Sequence, residues 1–280
     1  MSDTLDIALI QTRTPATASA GLAHVEPMIR KAAHQGARLI LTPEGVNLLE
    51  QRRDRRDGAI TDEGTDPAVL GLQALAAELG VWLLAGSVIV RSGVHGDPRA
   101  ANRSLLIDDH GRIVSRYDKL HVFDVDLPNG ETYRESATIR PGDGAAMAAT
   151  PWGGLGQTIC YDIRFPHLFR QLAGAGARMI AVPAAFTVQT GEAHWETLLR
   201  ARAIETGAFI LAPAQGGAHE DGRKTWGRST VVGPWGEVVA KLDHDEPGVL
   251  FATLDLGAVD RARQAIPSLL HDRDFGPVPA

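Results

Sequence analysis

One cysteine, Cys160, occurs in 280 residues, so no internal disulfide can form. The start, Met1-Ser2-Asp3-Thr4-Leu5-Asp6, is polar and lacks the apolar core of a signal peptide. A reducing, cytoplasmic location is therefore expected. No stretch of 18 apolar residues is present, which excludes a membrane-spanning helix. No Cys/His cluster has ligand spacing. His219-Glu220-Asp221 lies in a Gly-rich turn and reads as a solvated loop, so neither a metal nor a cofactor is expected. Basic charge is also short. A net charge of −6 argues against nucleic acid or an anionic membrane as the main partner. No Pro/Gly/Ser linker interrupts the chain, which predicts one domain over residues 1–280.

What is there is ordinary globular composition, 44% hydrophobic and 22% charged, long enough for one large α/β core. Leu5-Asp6-Ile7-Ala8-Leu9-Ile10-Gln11 reads as a strand. A helix is predicted over about 19–34, with Leu22, Val25, Ile29 and Ala33 on one stripe. Gly36 ends it, and Arg38–Thr42 forms an apolar strand closed by Pro43-Glu44-Gly45. Residues 49–64 interleave arginines with acids and read as a solvated loop or helix face. A second helix is expected over about 66–79, then a strand at Val81–Ala85. A hairpin follows, with Ser104–Ile107 turning at 108–111 into Ile113–Ser115.

The second half repeats the first. Gly36-Ala37-Arg38-Leu39-Ile40 matches Gly176-Ala177-Arg178-Met179-Ile180, and each leads to a proline, Pro43 or Pro183. Gly80–Ala85 matches Gly207–Ala212. Arg103-Ser104 and Gly111 match Arg228-Ser229 and Gly236. The repeat spans roughly 5–118 and 145–255, with a tail at 261–280 expected to cross a surface or a neighbouring subunit. Each half gives a sheet and helices with one apolar stripe. Two such halves pack sheet on sheet with helices outside, so an α/β fold is predicted, a four-layer αββα sandwich.

Cys160 stands where a strand, Gly154–Ile159, hands over to a helix opened by Phe165-Pro166. Free backbone N–H groups and the helix dipole at such a corner favour a thiolate, so a lowered pKa and a nucleophilic role are expected. A small buried core residue is the plainer use of a free cysteine. The repeat breaks at one informative place: Pro43 is followed by Glu44, whereas Pro183 is followed by Ala184. A carboxylate at the end of a buried strand is costly unless it is used. Glu44 is the candidate base, if burial raises its pKa toward neutrality. Lys119 leaves the first hairpin and can reach the same rim as a cation for an oxyanion.

Three blocks carry a family resemblance. Glu44 after its strand and proline, Tyr117-Asp118-Lys119-Leu120-His121, and Gly156–Pro166 around Cys160 resemble the signature blocks of the nitrilase (carbon–nitrogen hydrolase) superfamily, over nearly the whole chain. The resemblance implies Glu44 as general base, Lys119 as oxyanion cation and Cys160 as nucleophile. It implies the Tyr161 backbone N–H as second oxyanion donor and Glu135 as the glutamate that positions substrate and Lys119. Residues 121–126, Phe186, 190–195 and 200–206 resemble the Nit amidase branch. That branch implies a small-molecule partner, a 2-oxo acid amide such as deaminated glutathione or 2-oxoglutaramate. Arg164, Phe186 and Thr190 match substrate-contacting positions there, and Arg164 suits a carboxylate. Arg164 can equally be a structural ion pair with Asp162 or a glutamate. The helix after the cysteine and the helix over 192–206 are implied to form a homodimer or larger assembly. The same triad serves nitriles and N-carbamoyl amino acids. Two further readings compete: a Cys–His dyad using His121, His167 or His194, and a catalytically silent assembly or ligand-binding module.

Overall fold

The computed structural model describes residues 4–276. Met1–Asp3 of the polar start and Pro277–Ala280 of the tail lie outside the described residues. The first half runs β1 (Thr4–Gln11), α1 (Ala18–His34), β2 (Leu39–Leu41), α2 (Arg53–Ala59), α3 (Pro67–Leu79), β3 (Trp82–Arg91), β4 (Ala100–Ile107) and β5 (Ile113–Asp118). A small hairpin, β6 (Asp124–Asp126) and β7 (Thr132–Arg134), leads to the second half. That half runs β8 (Ala146–Thr150), β9 (Gly153–Gln157), α4 (Pro166–Gly174), β10 (Ala177–Ala181), α5 (Val188–Thr206) and β11 (Phe209–Ala212). It continues through β12 (Gly216–Ala218), β13 (Lys224–Trp226), β14 (Thr230–Val232) and β15 (Val238–Lys241). The chain then adds β16 (Gly248–Asp255) and α6 (Gly257–Ala265).

Two six-stranded sheets result, ordered β16-β1-β2-β3-β4-β5 and β15-β14-β11-β10-β9-β8. Strand periodicity assigns the layers. On β1, Leu5, Ile7 and Leu9 point to one face, and Ala8 and Ile10 to the other. The first set joins Leu39, Leu41 and Leu84 against Leu155, Met179, Phe209 and Leu211 of the second sheet. The second set packs under α1 and α3, against Val25, Ile29, Val69 and Leu72. Across the molecule, Ile180 and Ile210 pack under α4 and α5, against Phe169, Trp195 and Leu199. Three apolar seams thus separate four layers, the expected αββα sandwich. The central strands carry apolar side chains on both faces, as buried parallel strands do.

Local signals set the helix ends. Thr17 caps α1, accepting from Ala20 N–H. Asp66 caps α3, accepting from Ala68 and Val69 N–H, with Pro67 at its first position and Gly80 in the left-handed region at its end (φ 62°).

Three expectations need correction. Residues 49–64 are not a purely solvated run, because Leu49 and Glu50 are buried. The second repeat was expected to reach 255, but β16 leaves it and pairs along all of β1, Thr4 with Asp255 through Gln11 with Gly248. This gives β1 the antiparallel edge partner that β8 supplies to β9. The tail begins inside α6 and returns over α4, where Arg170 pairs with Asp272 at 2.5 Å.

Candidate active site

The two halves meet where β2 and β10 end. Gly86 of β3 lies so close that a Cβ there would overlap Thr42 O and stand 2.5 Å from Pro183 Cβ. The Cys160 N–H donates to Pro183 O at 2.9 Å. The matching prolines of the repeat therefore face each other across the pseudo-symmetric junction. Glu44 arrives from one side and Cys160 from the other.

The segment after Pro43 is held by Gly45 N–H on Ser87 Oγ (2.9 Å) and by Gln215 Nε2 on Glu44 O (2.9 Å). Gly45 takes φ 66°, which turns the chain away once Glu44 has pointed inward. On the other side, residues 160–164 form one 3-10 turn between β9 and α4. Cys160 itself sits in the left-handed region (φ 50°), a conformation costing on the order of 1–3 kcal/mol for a residue with a Cβ. Buried Asp162 supports it, accepting from Ile159 N–H (2.8 Å), His121 N–H (3.0 Å), His121 Nδ1 (2.7 Å) and Tyr117 Oη (2.6 Å). Within the turn, Asp162 N–H bonds Ile159 O, so the Tyr161 N–H has no partner inside it.

Lys119 follows β5, and its N–H donates to Asn102 O at 2.9 Å. Its buried ammonium donates to Glu44 Oε1 (2.9 Å) and to Glu135 Oε1 and Oε2 (3.1 and 2.9 Å). Glu135 follows β7, with its side chain 18% exposed. Its Oε2 also accepts from Phe123 N–H at 2.6 Å. Sequence reasoning missed Asn102, whose Nδ2 donates to Glu44 Oε1 (2.9 Å) and Glu135 Oε1 (3.3 Å). An asparagine inside a buried strand, flanked by Ala101 and Arg103, is the signal that marks it.

The charge states differ from the sequence expectation at two residues. Burial alone raises the Glu44 pKa, but Lys119, with hydrogen bonds from Cys160 and Asn102, brings it below the ordinary 4.5. The Cys160 thiol is pushed well above its ordinary value by burial and by the Glu44 carboxylate, which together outweigh Lys119. Lys119 is held well above its ordinary value, because Glu135 and Glu44 overcome its burial. The resting site is thus a carboxylate, an ammonium and a neutral thiol. The expected dipole effect on Cys160 is outweighed because the corner is buried beside a carboxylate.

Glu44, Lys119, Glu135, Asn102 and Cys160 stand in one cavity of about 300 Å³, which Tyr161, Arg164, Phe186 and Thr190 also line. Arg164 forms no ion pair among the described residues. Its Nη2 meets His194 Nδ1 at 3.2 Å, and its guanidinium lies over Tyr161 and Phe186 (5.9 and 5.6 Å). The structural ion-pair alternative for Arg164 is not seen: no glutamate pairs with it among the described residues, and Asp162 accepts from four other donors. Phe186 packs on Trp195 (4.8 Å), and Thr190 Oγ1 meets Thr187 Oγ1 (2.9 Å). His121 is held by Asp162, His194 by Arg164, and His167 edges onto Phe165; none of the three lines the cavity. His219 is not solvated as expected. It is buried, bonded to Thr225 Oγ1 (2.7 Å), and burial lowers its pKa to about 4.

A profile of the carbon–nitrogen hydrolase family matches residues 6–264. The chain is 40% identical over 269 residues to the deaminated glutathione amidase of Yersinia enterocolitica, covering 96% of this chain and 93% of that protein. Among solved structures it is similar to the NitFhit protein of C. elegans, with a TM-score of 0.88 and 34% identity. That match covers 96% of this chain and 65% of that one, so this chain spans about two thirds of that protein's length. It is also similar to a variant amidase from Nesterenkonia sp., with a TM-score of 0.77 and 28% identity over 93% of this chain and 94% of that one. In that structure the acetamide moiety of fluoroacetamide is covalently added at the active-site cysteine.

Proposed function

We propose how this chain, which belongs to the carbon–nitrogen hydrolase family and is an amidase, performs its reaction and on what. Its substrate is the amide of a small carboxylate, of the deaminated glutathione type. The observation that carries this is the placement of a buried thiol beside the Glu44–Lys119 pair, in a cavity whose wall includes the guanidinium of Arg164, which has no carboxylate partner among the described residues.

Glu44 takes the thiol proton as Sγ bonds the amide carbon. The raised thiol pKa makes the two events concerted, because a free thiolate beside Glu44 is disfavoured. The oxyanion sits on Lys119 Nζ and the Tyr161 N–H. As it collapses the C–N bond breaks, and Glu44 returns the proton to the departing nitrogen. A water then gives its proton to Glu44 and attacks the thioester carbon. The C–S bond breaks and the sulfur recovers the proton. Glu135 and Asn102 hold Lys119 and Glu44 in place throughout. Arg164, with Phe186 and Thr190, holds the carboxylate end of the acyl part.

Glu44 comes from the first half and Cys160 from the second, which supports reading the two halves as one functional domain. Exposed Ile204, Trp235, Ile266 and Leu270 form an apolar face beside α4 and α5, which supports a homodimer or larger assembly. A lone thiol kept reduced suits the cytoplasm. Among the described residues no helix is long and apolar enough to cross a membrane.

The test is product release from deaminated glutathione and from 2-oxoglutaramate, with Cys160→Ala as blank. Cysteinylglycine or ammonia above the blank supports the reading. Turnover of neither, with turnover of a nitrile or an N-carbamoyl amino acid instead, overturns the substrate class and keeps the chemistry.

A further inference from the structure

The cavity has a second polar wall that the mechanism above does not use. It is built from Glu50 and Arg56, in the segment after Glu44, and from Arg223, in the turn between β12 and β13. The two segments are fastened together, since Gln51 N–H donates to Asp221 Oδ2 at 2.9 Å and Asp221 also accepts from Arg223 N–H (2.9 Å).

This wall is left unsatisfied. Arg56 uses Nη2 on Asp57 (3.0 Å), and Arg223 brings Nη2 only to 3.5 Å from Asp221. The Nε of each is buried without a hydrogen-bond partner, and so is Oε2 of Glu50. Glu50 Oε1 accepts from Arg52 N–H at 2.8 Å, so this carboxylate is half used. Among the described residues, the buried side-chain atoms without partners are Glu50 Oε2, Arg56 Nε, Asn102 Oδ1, Gln189 Oε1, His219 Nδ1 and Arg223 Nε. Four of these six belong to residues lining this one cavity. Buried donors and acceptors are rarely left empty, and a concentration of them in a cavity wall describes what should fill it. Here the missing complement is an anion for two guanidiniums, next to an N–H for one carboxylate oxygen.

The position says which part of a substrate supplies it. Arg164 stands four residues from Cys160, on the same turn, over Phe186 and beside His194. It serves the acyl part. The acyl arm and the leaving nitrogen depart from the attacked carbon in different directions, so an acyl arm held by Arg164 sends the leaving arm away from that residue. Of the polar lining outside the catalytic cluster, Glu50, Arg56 and Arg223 are the residues with unpartnered buried atoms.

The geometry points to a leaving-group subsite: Arg56 and Arg223 bind a carboxylate carried by the departing amine, and Glu50 Oε2 accepts an N–H of the same arm. The class of substrate is an amide whose leaving group is an amino acid or short peptide rather than ammonia. This rests on the amidase reading above and adds residues that decide between an ω-amidase and a peptide-releasing amidase. A carboxylate on two half-buried guanidiniums makes charge-assisted bonds, each worth about tenfold or more in affinity.

The experiment compares deaminated glutathione with its C-terminal amide, identical except that the far carboxylate is neutral. The wild-type enzyme is expected to favour the acid at least about tenfold in kcat/KM, mainly through KM. Arg56→Gln and Arg223→Gln should each collapse that preference toward one, and Glu50→Gln should raise KM for both substrates. A wild-type enzyme that does not distinguish acid from amide overturns the subsite without any variant. Variants that lose activity on both substrates equally, with the acid preference intact, overturn it as well. Failure of the wild-type enzyme on every amide, with no acyl group on Cys160, would instead sink the amidase reading and this inference with it.

Discussion

Asp162 Oδ2 accepts from Tyr117 Oη at 2.6 Å, a bond that ties the turn behind Cys160 to the last strand of the other sheet. The same hydroxyl accepts from Leu120 N–H at 3.3 Å, so it joins the turn at Cys160 to the residue that follows Lys119. Tyr117→Phe removes a donor from a buried carboxylate and should cost about 1–3 kcal/mol of stability. It should also lower kcat about tenfold with little change in KM, because the turn that holds φ 50° at Cys160 loosens. Denaturant unfolding and steady-state kinetics check the two effects together. Unchanged kcat would show that the turn holds its shape without this bond.

In the proposed mechanism Lys119 stabilises charge that exists only during reaction. Lys119→Met should lower kcat by roughly 10²–10³-fold, as removal of an oxyanion donor does. Glu135→Gln should cost less, since Asn102 and Glu44 still touch the ammonium's surroundings. Rates from a single-turnover assay give both numbers. A larger loss for Glu135→Gln than for Lys119→Met would mean that Glu135 has a direct role in proton transfer.

The pH profile should be flat through neutrality. The folded Glu44 pKa lies below the ordinary 4.5, so its ionised form and the stabilisation it brings are fully present above pH 4.5. Both are lost only as pH falls through that lower value. The thiol lies above 9.0 and Lys119 above 10.5, so the alkaline limb also lies outside neutrality. kcat/KM should therefore vary little from about pH 5 to about pH 9. A limb between about pH 6 and about pH 7 would mark a histidine as the thiol's partner.

Gly86 sets how closely the halves meet. Gly86→Ala drives a Cβ into Thr42 O and Pro183, and backbone on both sides cannot give way cheaply. A loss of about 3 kcal/mol or more in stability is expected, with a fall in kcat because Glu44 and Cys160 are separated. Wild-type stability in a thermal or denaturant melt would show that the junction is looser than its geometry.

Much of this was legible in the sequence, for reasons specific to each residue. The αββα layering followed from the repeat and from helices that each carry one apolar stripe to place on a sheet. Glu44 stood out because Ala184 occupies its repeat partner's place. Lys119 stood out at the end of the first hairpin, Glu135, Tyr161 and the branch-specific Arg164, Phe186 and Thr190 came from resemblance, and the structure brings all of them to one cavity. The pKa directions of Glu44 and Cys160 were not legible, because they depend on how many charges surround a buried group rather than on burial alone. Arg56 and Glu50 read as part of a solvated charge run, and they acquire a wall only when the turn at Asp221 closes on Gln51, 170 residues away. His219 read as solvated for the same reason. The crossing of β16 into the first sheet was hidden because its partner β1 lies at the other end of the chain.

The central claim is that Cys160 carries the acyl group between two steps governed by Glu44. The measurement that tests it most directly is intact and peptide mass spectrometry of Glu44→Gln after mixing with deaminated glutathione. The account predicts that Cys160 is acylated only slowly, because the variant lacks the base that takes the thiol proton, and that the 2-oxo acyl adduct, once formed, persists, because the same base is missing for hydrolysis; Cys160→Ala shows no adduct. Normal turnover by Glu44→Gln, or an adduct on any residue other than Cys160, would contradict it.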